Sequence, residues 1–175
     1  MNLEVLYKIS YGIYIVCSEK SGKFNGQIVN TVFQITSEPA NIAISINKLN
    51  LTHEYISSSK KFTVSVLTKN TSMTFIGQFG FKSGRDIDKF KMVKTINGKT
   101  GVPIVVDNAL AYLEAEVIGQ TDCATHTVFI GTVVNAEILS LDEPMTYAYY
   151  HEVKKGLSPK TAPTYIKSEE KKVDK

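Results

Sequence analysis

The stretch from Gly26 to His53, GQIVNTVFQITSEPANIAISINKLNLTH, does most to limit what this chain can fold into. Its apolar residues are largely β-branched and come in short runs, with polar residues where the runs end. Gln27, Asn30, Thr31 and Gln34 interrupt the first run, Pro39 breaks the chain, and Ile42-Ala43-Ile44 opens a second run. Such alternation predicts strand, turn, strand. Asn50 ahead of Leu51-Thr52-His53, with Glu54 one residue further, predicts the capped start of a helix. A strand that feeds a helix N-terminus leaves backbone N–H groups free to hold an anion. A flat, phosphorylated cofactor lying across this stretch is the expectation that follows.

The rest of the chain repeats the same grammar. Residues 2–8 suggest a short helix, followed by a strand over Ile9–Cys17 with Gly12 as a bulge and a charged turn from Glu19 to Lys23. A helix over 51–59 precedes the clean alternation of Phe62–Leu67. Asn70 or Thr71 is expected to cap a second helix, whose apolar face is Met73, Phe75, Ile76 and Phe79. Gly77–Phe90 reads as a glycine-punctuated, charged and aromatic loop, the kind of segment that carries function beside a rigid sheet. A turn-rich link, 97–103, then leads into two long β segments. Ala109–Val117 places Leu113 and Val117 on one face and Glu114 and Glu116 on the other, while Thr127–Val134 is apolar enough for burial on both faces. Many strands with only short helices between them imply a mainly β fold, an antiparallel barrel in place of a parallel βαβ sheet. Tyr147, Tyr149 and Tyr150 are expected in the core or at a dimer interface, and a charged, frayed tail follows from about Ser168.

Composition narrows the chemistry. At 175 residues the chain is long enough for one self-sufficient core. Its formal charge of +3 is too slight to imply nucleic acid. Nineteen of the twenty basic residues are Lys and the single Arg is Arg85, which excludes a phosphate site built from several forked guanidinium contacts. Cys17 and Cys123 are far apart and form no CxxC pair, so both read as buried structural thiols and cysteine-bound metal is not expected. An apolar signal-like segment and a membrane-length run are both lacking, which points to a cytoplasmic protein with no membrane partner. Gly98-Lys99-Thr100 imitates a P-loop, but the required upstream glycine is Val93. Gly77, Gly80 and Gly84 do not make a dinucleotide-binding fingerprint, and His53, His126 and His151 lack metal-ligand spacing. Hydrolase and metal chemistry therefore find little support.

The phrases YKISYGIYIV, GQIVNTVFQITSEP, FIGQFGFKSG, GKTGVP, THTVFIG and KKGLSPKTAPTY, in this order, resemble the flavin reductase-like family with its FMN-binding split β-barrel. The likeness is nearest to archaeal ferric reductases, flavoredoxins and the flavin module of high-molecular-weight rubredoxins. It runs to about Ile166, so residues 1–166 read as one flavin reductase-like domain and 167–175 as a charged tail. The resemblance implies an antiparallel, Greek-key-like split barrel with a few short helices, assembled as a homodimer with FMN near the interface. It also implies that NAD(P)H reduces the flavin at N5. Electrons then pass to a ferric chelate, a rubredoxin, free flavin or oxygen. No cysteine-rich module follows SEEKKVDK, so a rubredoxin acceptor would be a separate protein.

The resemblance also implies a site. Gln27, Val29, Asn30 and Thr31 would face the isoalloxazine ring, and Ser45, Ile46, Asn47, Thr52 and His53 would hold the ribityl chain and phosphate. Phe81, Gly84 and Lys89 would close over the phosphate side or ring, and His126 would lie on the nicotinamide side. Each has a plainer reading. Asn30-Thr31 can simply end a strand, Ser45, Asn47, Thr52 and His53 can be a helix cap and its neighbours, Lys89 a solvated charge, and His126 a hydrogen-bonded structural histidine. Arg85 can pair with Asp86 or Asp88, or meet the 2′-phosphate of NADPH. No side chain need act as acid or base, because the cofactor carries the chemistry. The alternative function is a flavin-binding electron carrier or redox sensor. A pyridoxamine-phosphate oxidase, which shares the barrel, is disfavoured by the near absence of Arg.

Overall fold

The computed structural model describes residues 3–165, so the charged tail expected from 167 lies outside the described residues. A 3-10 helix, Leu3–Lys8, precedes the first strand. Nine strands follow: β1 Tyr14–Lys20, β2 Lys23–Val29, β3 Val32–Ser37, β4 Ala40–Asn47, β5 Lys61–Leu67, β6 Thr95–Asn97, β7 Pro103–Val105, β8 Ala109–Cys123 and β9 His126–Ile138. Helices α1 Leu51–Ser59, α2 Met73–Gly80 and α3 Tyr147–Glu152 lie between or after them. The Gly26–His53 stretch holds three strands, because Asn30-Thr31 splits the first apolar run between Val29 and Val32.

Seven strands form one antiparallel sheet in the order β2-β1-β5-β8-β9-β4-β3. Its two edge strands, β2 and β3, are consecutive in the chain and joined only by Asn30-Thr31. The sheet is curled, and among the described residues no ladder closes it between those edges. Thr31, at the split, extends the β3–β4 ladder by one residue: its carbonyl accepts from the Ser45 N–H at 3.2 Å and its hydroxyl donates to the Ser45 carbonyl at 3.2 Å.

Local chemistry explains the turns. Lys20 and Lys23 pair across a two-residue hairpin whose Ser21 and Gly22 both have positive φ, 52° and 75°. This is the turn whose twist matches antiparallel strands. The expected strand from Ile9 starts only at Tyr14, because Gly12 is drawn into an isolated bridge with Thr146. The second helix is capped by Ser72, which accepts from the Phe75 N–H, and not by Asn70 or Thr71.

β1 is buried on both faces and divides the core. Ile15 and Cys17 face a cluster with Ile13, Leu67, Ile76, Phe79, Met145, Tyr147 and Tyr150. Val16 faces the inside of the curl with Val29, Ile44, Ile46, Ile56, Phe62, Val64 and Phe129. Each large side chain so buried contributes about 1.5–3 kcal/mol. Tyr147 and Tyr150 are therefore core residues, as one of the two sequence readings had it, while Tyr149 packs partly buried against them. Cys123 is exposed, contrary to expectation, because it ends β8 at the tip of the long β8–β9 ribbon, beyond the core.

β6 and β7 form a separate hairpin, and its turn accounts for the P-loop look-alike. The Glu114 carboxylate is buried there and accepts from the Lys99 and Thr100 N–H groups, the Thr100 hydroxyl and the Asn135 amide, at 2.7–3.0 Å. Burial pushes the Glu114 carboxyl up, but these donors outweigh it and hold the group below the usual range. The GKT turn thus grips an internal carboxylate in place of a phosphate.

Candidate functional site

A cleft of about 350 Å³ opens beside the split in the sheet, within the size range of small-molecule sites. One wall is β2, through Asn25, Gln27, Ile28 and Val29, and Asn30 stands at its end. The C-terminal end of β4 supplies Ser45 and Asn47, and the start of α1 supplies Asn50 and Leu51. The segment after α2 adds Phe81, Lys82, Ser83, Gly84 and Arg85, and Lys89 follows. His126, Tyr147, Tyr150 and the 157–163 segment make the remaining side, and Ile13, Ile76, Phe79 and Gly80 also line the cleft.

The electrostatics have one sign. Lys82, Arg85 and Lys89 line the cleft, and no Asp or Glu does so among the described residues. Lys89 is 4% exposed, and its ammonium donates to the carbonyls of Gly26 at 2.9 Å and Phe79 at 3.1 Å. With no carboxylate beside it, burial pulls its pKa down to about 8. Lys89 is thus a buried cation that ties β2 to the end of α2, and not a solvated surface charge. Arg85 is half-exposed and reaches Glu54 at 3.7 Å, not Asp86 or Asp88. Asn50 holds the cap position of α1 with extended backbone, but its side chain does not accept from the helix. The first-turn N–H groups of α1 therefore have no side-chain acceptor, an arrangement suited to an anion.

One buried polar atom lacks a partner here. Asn25 donates its amide to the Thr52 hydroxyl at 2.7 Å, but its Oδ1 has no donor. Gly84 presses against that oxygen so closely that a Cβ would meet it at 1.9 Å. A buried acceptor without a donor costs free energy unless a ligand satisfies it. A polyol hydroxyl would do so where a phosphate, itself an acceptor, would not.

Nine of the thirteen residues singled out from the sequence meet in this cleft: Gln27, Val29, Asn30, Ser45, Asn47, Phe81, Gly84, Lys89 and His126. Four do not line it. The Ile46 side chain is fully buried inside the curl. Thr52 is fully buried behind the wall, where its hydroxyl positions Asn25. Thr31 pairs with Ser45 at the end of the β3–β4 ladder. His53 points to β9, with Nε2 2.9 Å from the Thr127 hydroxyl and its ring over Phe129 at 5.3 Å. Since Thr127 donates to Asp122 at 2.7 Å, His53 must donate to Thr127. Sequence reasoning missed Asn25, whose signal was a polar residue inside a β run. It also assigned no site role to segment 157–163, although KKGLSPKTAPTY is among the phrases that carry the family resemblance.

His126 is held by Thr125 Oγ1 at Nδ1, 2.9 Å, and by the Thr161 carbonyl at Nε2, 3.2 Å. A carbonyl only accepts, so Nε2 carries the proton and Nδ1 accepts from Thr125. Burial favours this neutral form and lowers the pKa of His126, although the Thr161 carbonyl opposes the shift.

Comparisons with known proteins identify the family and the fold. Residues 6–158 match the family model of the flavin reductase-like domain. The chain is 52% identical over 171 residues to a high molecular weight rubredoxin of Moorella thermoacetica, covering 98% of this chain and 75% of that protein. It is 51% identical over 168 residues to a ferric-chelate reductase (NAD(P)H) of Archaeoglobus fulgidus, covering 96% and 99%. In fold it is similar to an NADH:FAD oxidoreductase of Streptomyces globisporus, with a TM-score of 0.75 and 23% identity over 82% of this chain and 84% of that one. An FMN-binding protein of Thermus thermophilus gives a TM-score of 0.67 and 22% identity over 75% and 73%.

Proposed function

Because this chain belongs to the flavin reductase-like family, we propose that its cleft binds FMN and that the protein is an NAD(P)H-dependent oxidoreductase handing electrons to a ferric chelate or a rubredoxin. The observation that carries the reading is a cleft with three cations, no carboxylate and an orphaned acceptor, beside the uncapped start of α1. These residues fit a phosphorylated polyol. Bound FMN supplies hydride acceptance and electron release, chemistry that no side chain provides.

The residues bind and orient. The α1 N-terminus, Ser45 and Asn47 would hold the phosphate end, and Lys82, Arg85 and Lys89 would supply the positive charge around it. Asn25 Oδ1 would accept from a ribityl hydroxyl, and Gln27 to Asn30 would hold the ring. A donor held at Asn30 would supply stabilisation for negative charge on the ring of a bound flavin. His126, neutral and clamped at both nitrogens, would stand on the nicotinamide side. Thr52, His53 and Thr31 act on the site only through the groups they hold.

A homodimer is part of the same reading, as is a cytoplasmic location. Phe33 and Ile35 lie exposed on edge strand β3, at 56% and 44%, which supports burial against a second copy. No helix among the described residues is long and apolar enough to cross a membrane.

The test is the visible spectrum of purified protein before and after NADPH, without oxygen. A flavin spectrum that bleaches within seconds is the expected result. A flavin spectrum that persists would make the protein a carrier or sensor, and failure to load FMN would overturn the reading.

A further inference from the structure

After α3 the chain doubles back and lies along the mouth of the cleft. The reversal is built at Lys155, with φ 55°, and at Gly156, whose added Cβ would meet the Tyr150 ring at 2.1 Å. The Gly156 N–H donates to the Tyr150 carbonyl and the Tyr150 hydroxyl donates to the Leu157 carbonyl, both at 2.9 Å. Beyond this turn, Leu157 to Pro163 forms a strap along the side of the cleft that holds His126.

The strap is fastened to the site residues themselves. Thr164 Oγ1 accepts from the Asn30 amide at 2.9 Å, and the Thr161 carbonyl accepts from His126 at 3.2 Å. One hydroxyl joins the fastenings: Tyr147 Oη lies 2.6 Å from Ser158 Oγ and 2.5 Å from Thr164 Oγ1. The Tyr147 ring is fixed by edge contacts with Tyr11 at 5.8 Å and His151 at 4.3 Å, so packing aims its hydroxyl.

We propose that Tyr147 is a positioning residue for the reductase reaction. It clasps the 157–164 strap over the reductant side of the cleft and, through Thr164, fixes which end of the Asn30 carboxamide faces the flavin. This rests on the flavin reading above. A carboxamide is nearly symmetric in shape, so only its partners decide whether nitrogen or oxygen points a given way. The arrangement that fixes the amide has Thr164 donating to Tyr147 Oη and Tyr147 donating on to Ser158 Oγ, so that Thr164 Oγ1 is left only as an acceptor for Asn30 Nδ2. Without that hydroxyl, the Thr164 proton is free to turn to Asn30 Oδ1, and the flipped amide competes.

Tyr147→Phe keeps the ring and removes the hydroxyl. Three measurements are made: amide hydrogen exchange over 157–165 in FMN-free and FMN-loaded protein, FMN affinity, and the limiting rate of anaerobic bleaching by NADPH. Exchange should quicken in both forms. FMN affinity should change by no more than about twofold, and the limiting rate should fall about three- to tenfold, the scale of one lost hydrogen bond. Thr164→Val, which spares the packed core, should do the same; the double variant should be no worse than either single one, and Thr164→Ser should behave as the parent. Parental bleaching in Tyr147→Phe, or additive losses in the double variant, would overturn the proposal. Failure of the parent to bind FMN would instead overturn the flavin reading, and exchange would still report whether Tyr147 holds the strap.

Discussion

Replacing Gly84 by Ala tests the wall between the cleft and the start of α1. The added methyl would stand 1.9 Å from Asn25 Oδ1, 2.9 Å from its Cγ and 3.3 Å from Leu51 Cδ2. Ordinary contact needs about 3.5 Å, so something must move by more than roughly 1 Å. Asn25 is not free to give way, because its amide donates to the Thr52 hydroxyl at 2.7 Å in a buried setting. Swinging it out strands that pair at about 1–3 kcal/mol. The alternative is for the 81–85 segment to lift, which opens the phosphate end of the cleft. Either route should weaken FMN binding roughly five- to hundredfold. Quenching of FMN fluorescence on titration into flavin-free protein gives the affinity, and thermal melting tells the routes apart. A lower melting temperature means that Asn25 moved, and an unchanged one that the loop lifted. Gly77→Ala is the control: it sits within α2 with nothing within 4 Å of the added Cβ, so it should keep FMN affinity and stabilise the helix by up to about 1 kcal/mol. A Gly84→Ala protein that binds FMN and melts as the parent does would refute the assignment of this wall.

Lys89→Met should weaken FMN retention by roughly tenfold or less, through loss of one partly screened charge. Because Lys89 titrates near 8 when folded and near 10.5 when unfolded, the unfolded chain holds the extra proton between those values, and stability should rise with pH there. The full rise is worth about 3 kcal/mol; Lys89→Met should abolish it in urea melts, and a parental slope in the variant would assign the effect elsewhere. His126→Ala should raise the Michaelis constant for NAD(P)H while flavin stays bound. Flavin loss instead would move His126 into the flavin pocket or the fold. Glu114→Gln sets an N–H donor against groups that are themselves donors, and should cost about 2–4 kcal/mol in urea unfolding. The Glu114 carboxyl is held below its usual range, so its contribution is complete above the unfolded pKa and is lost as pH falls through the folded one. A parent and variant that lose stability in parallel on acidification would remove Glu114 from that role.

Local order was legible because it is written in local chemistry. The β-branched runs gave strands 61–67 and 126–138 to within a few residues, and the Asn50 signal gave α1 over 51–59. The break at Asn30-Thr31 marked the split in the sheet, since polar residues inside an apolar run must meet something other than core. Nine of the residues that the family resemblance implied line the cleft, because it lies where strand ends, a helix start and a glycine-rich segment converge.

What only the tertiary structure decided comes from contacts between residues distant in the chain. Lys89 looks like any surface lysine until the Gly26 carbonyl, 63 positions away, accepts from it. Glu114 sits in a β run that also reads as amphipathic, and only the turn at 98–100 closes over it. Asn30 meets Thr164 across 134 positions. Periodicity reports which face of an element avoids water, and it is silent on which distant polar group will come to satisfy a buried donor or acceptor. That matching is settled only when the sheet curls, because every buried hydrogen-bonding group must then find its partner in space, whatever its place in the sequence.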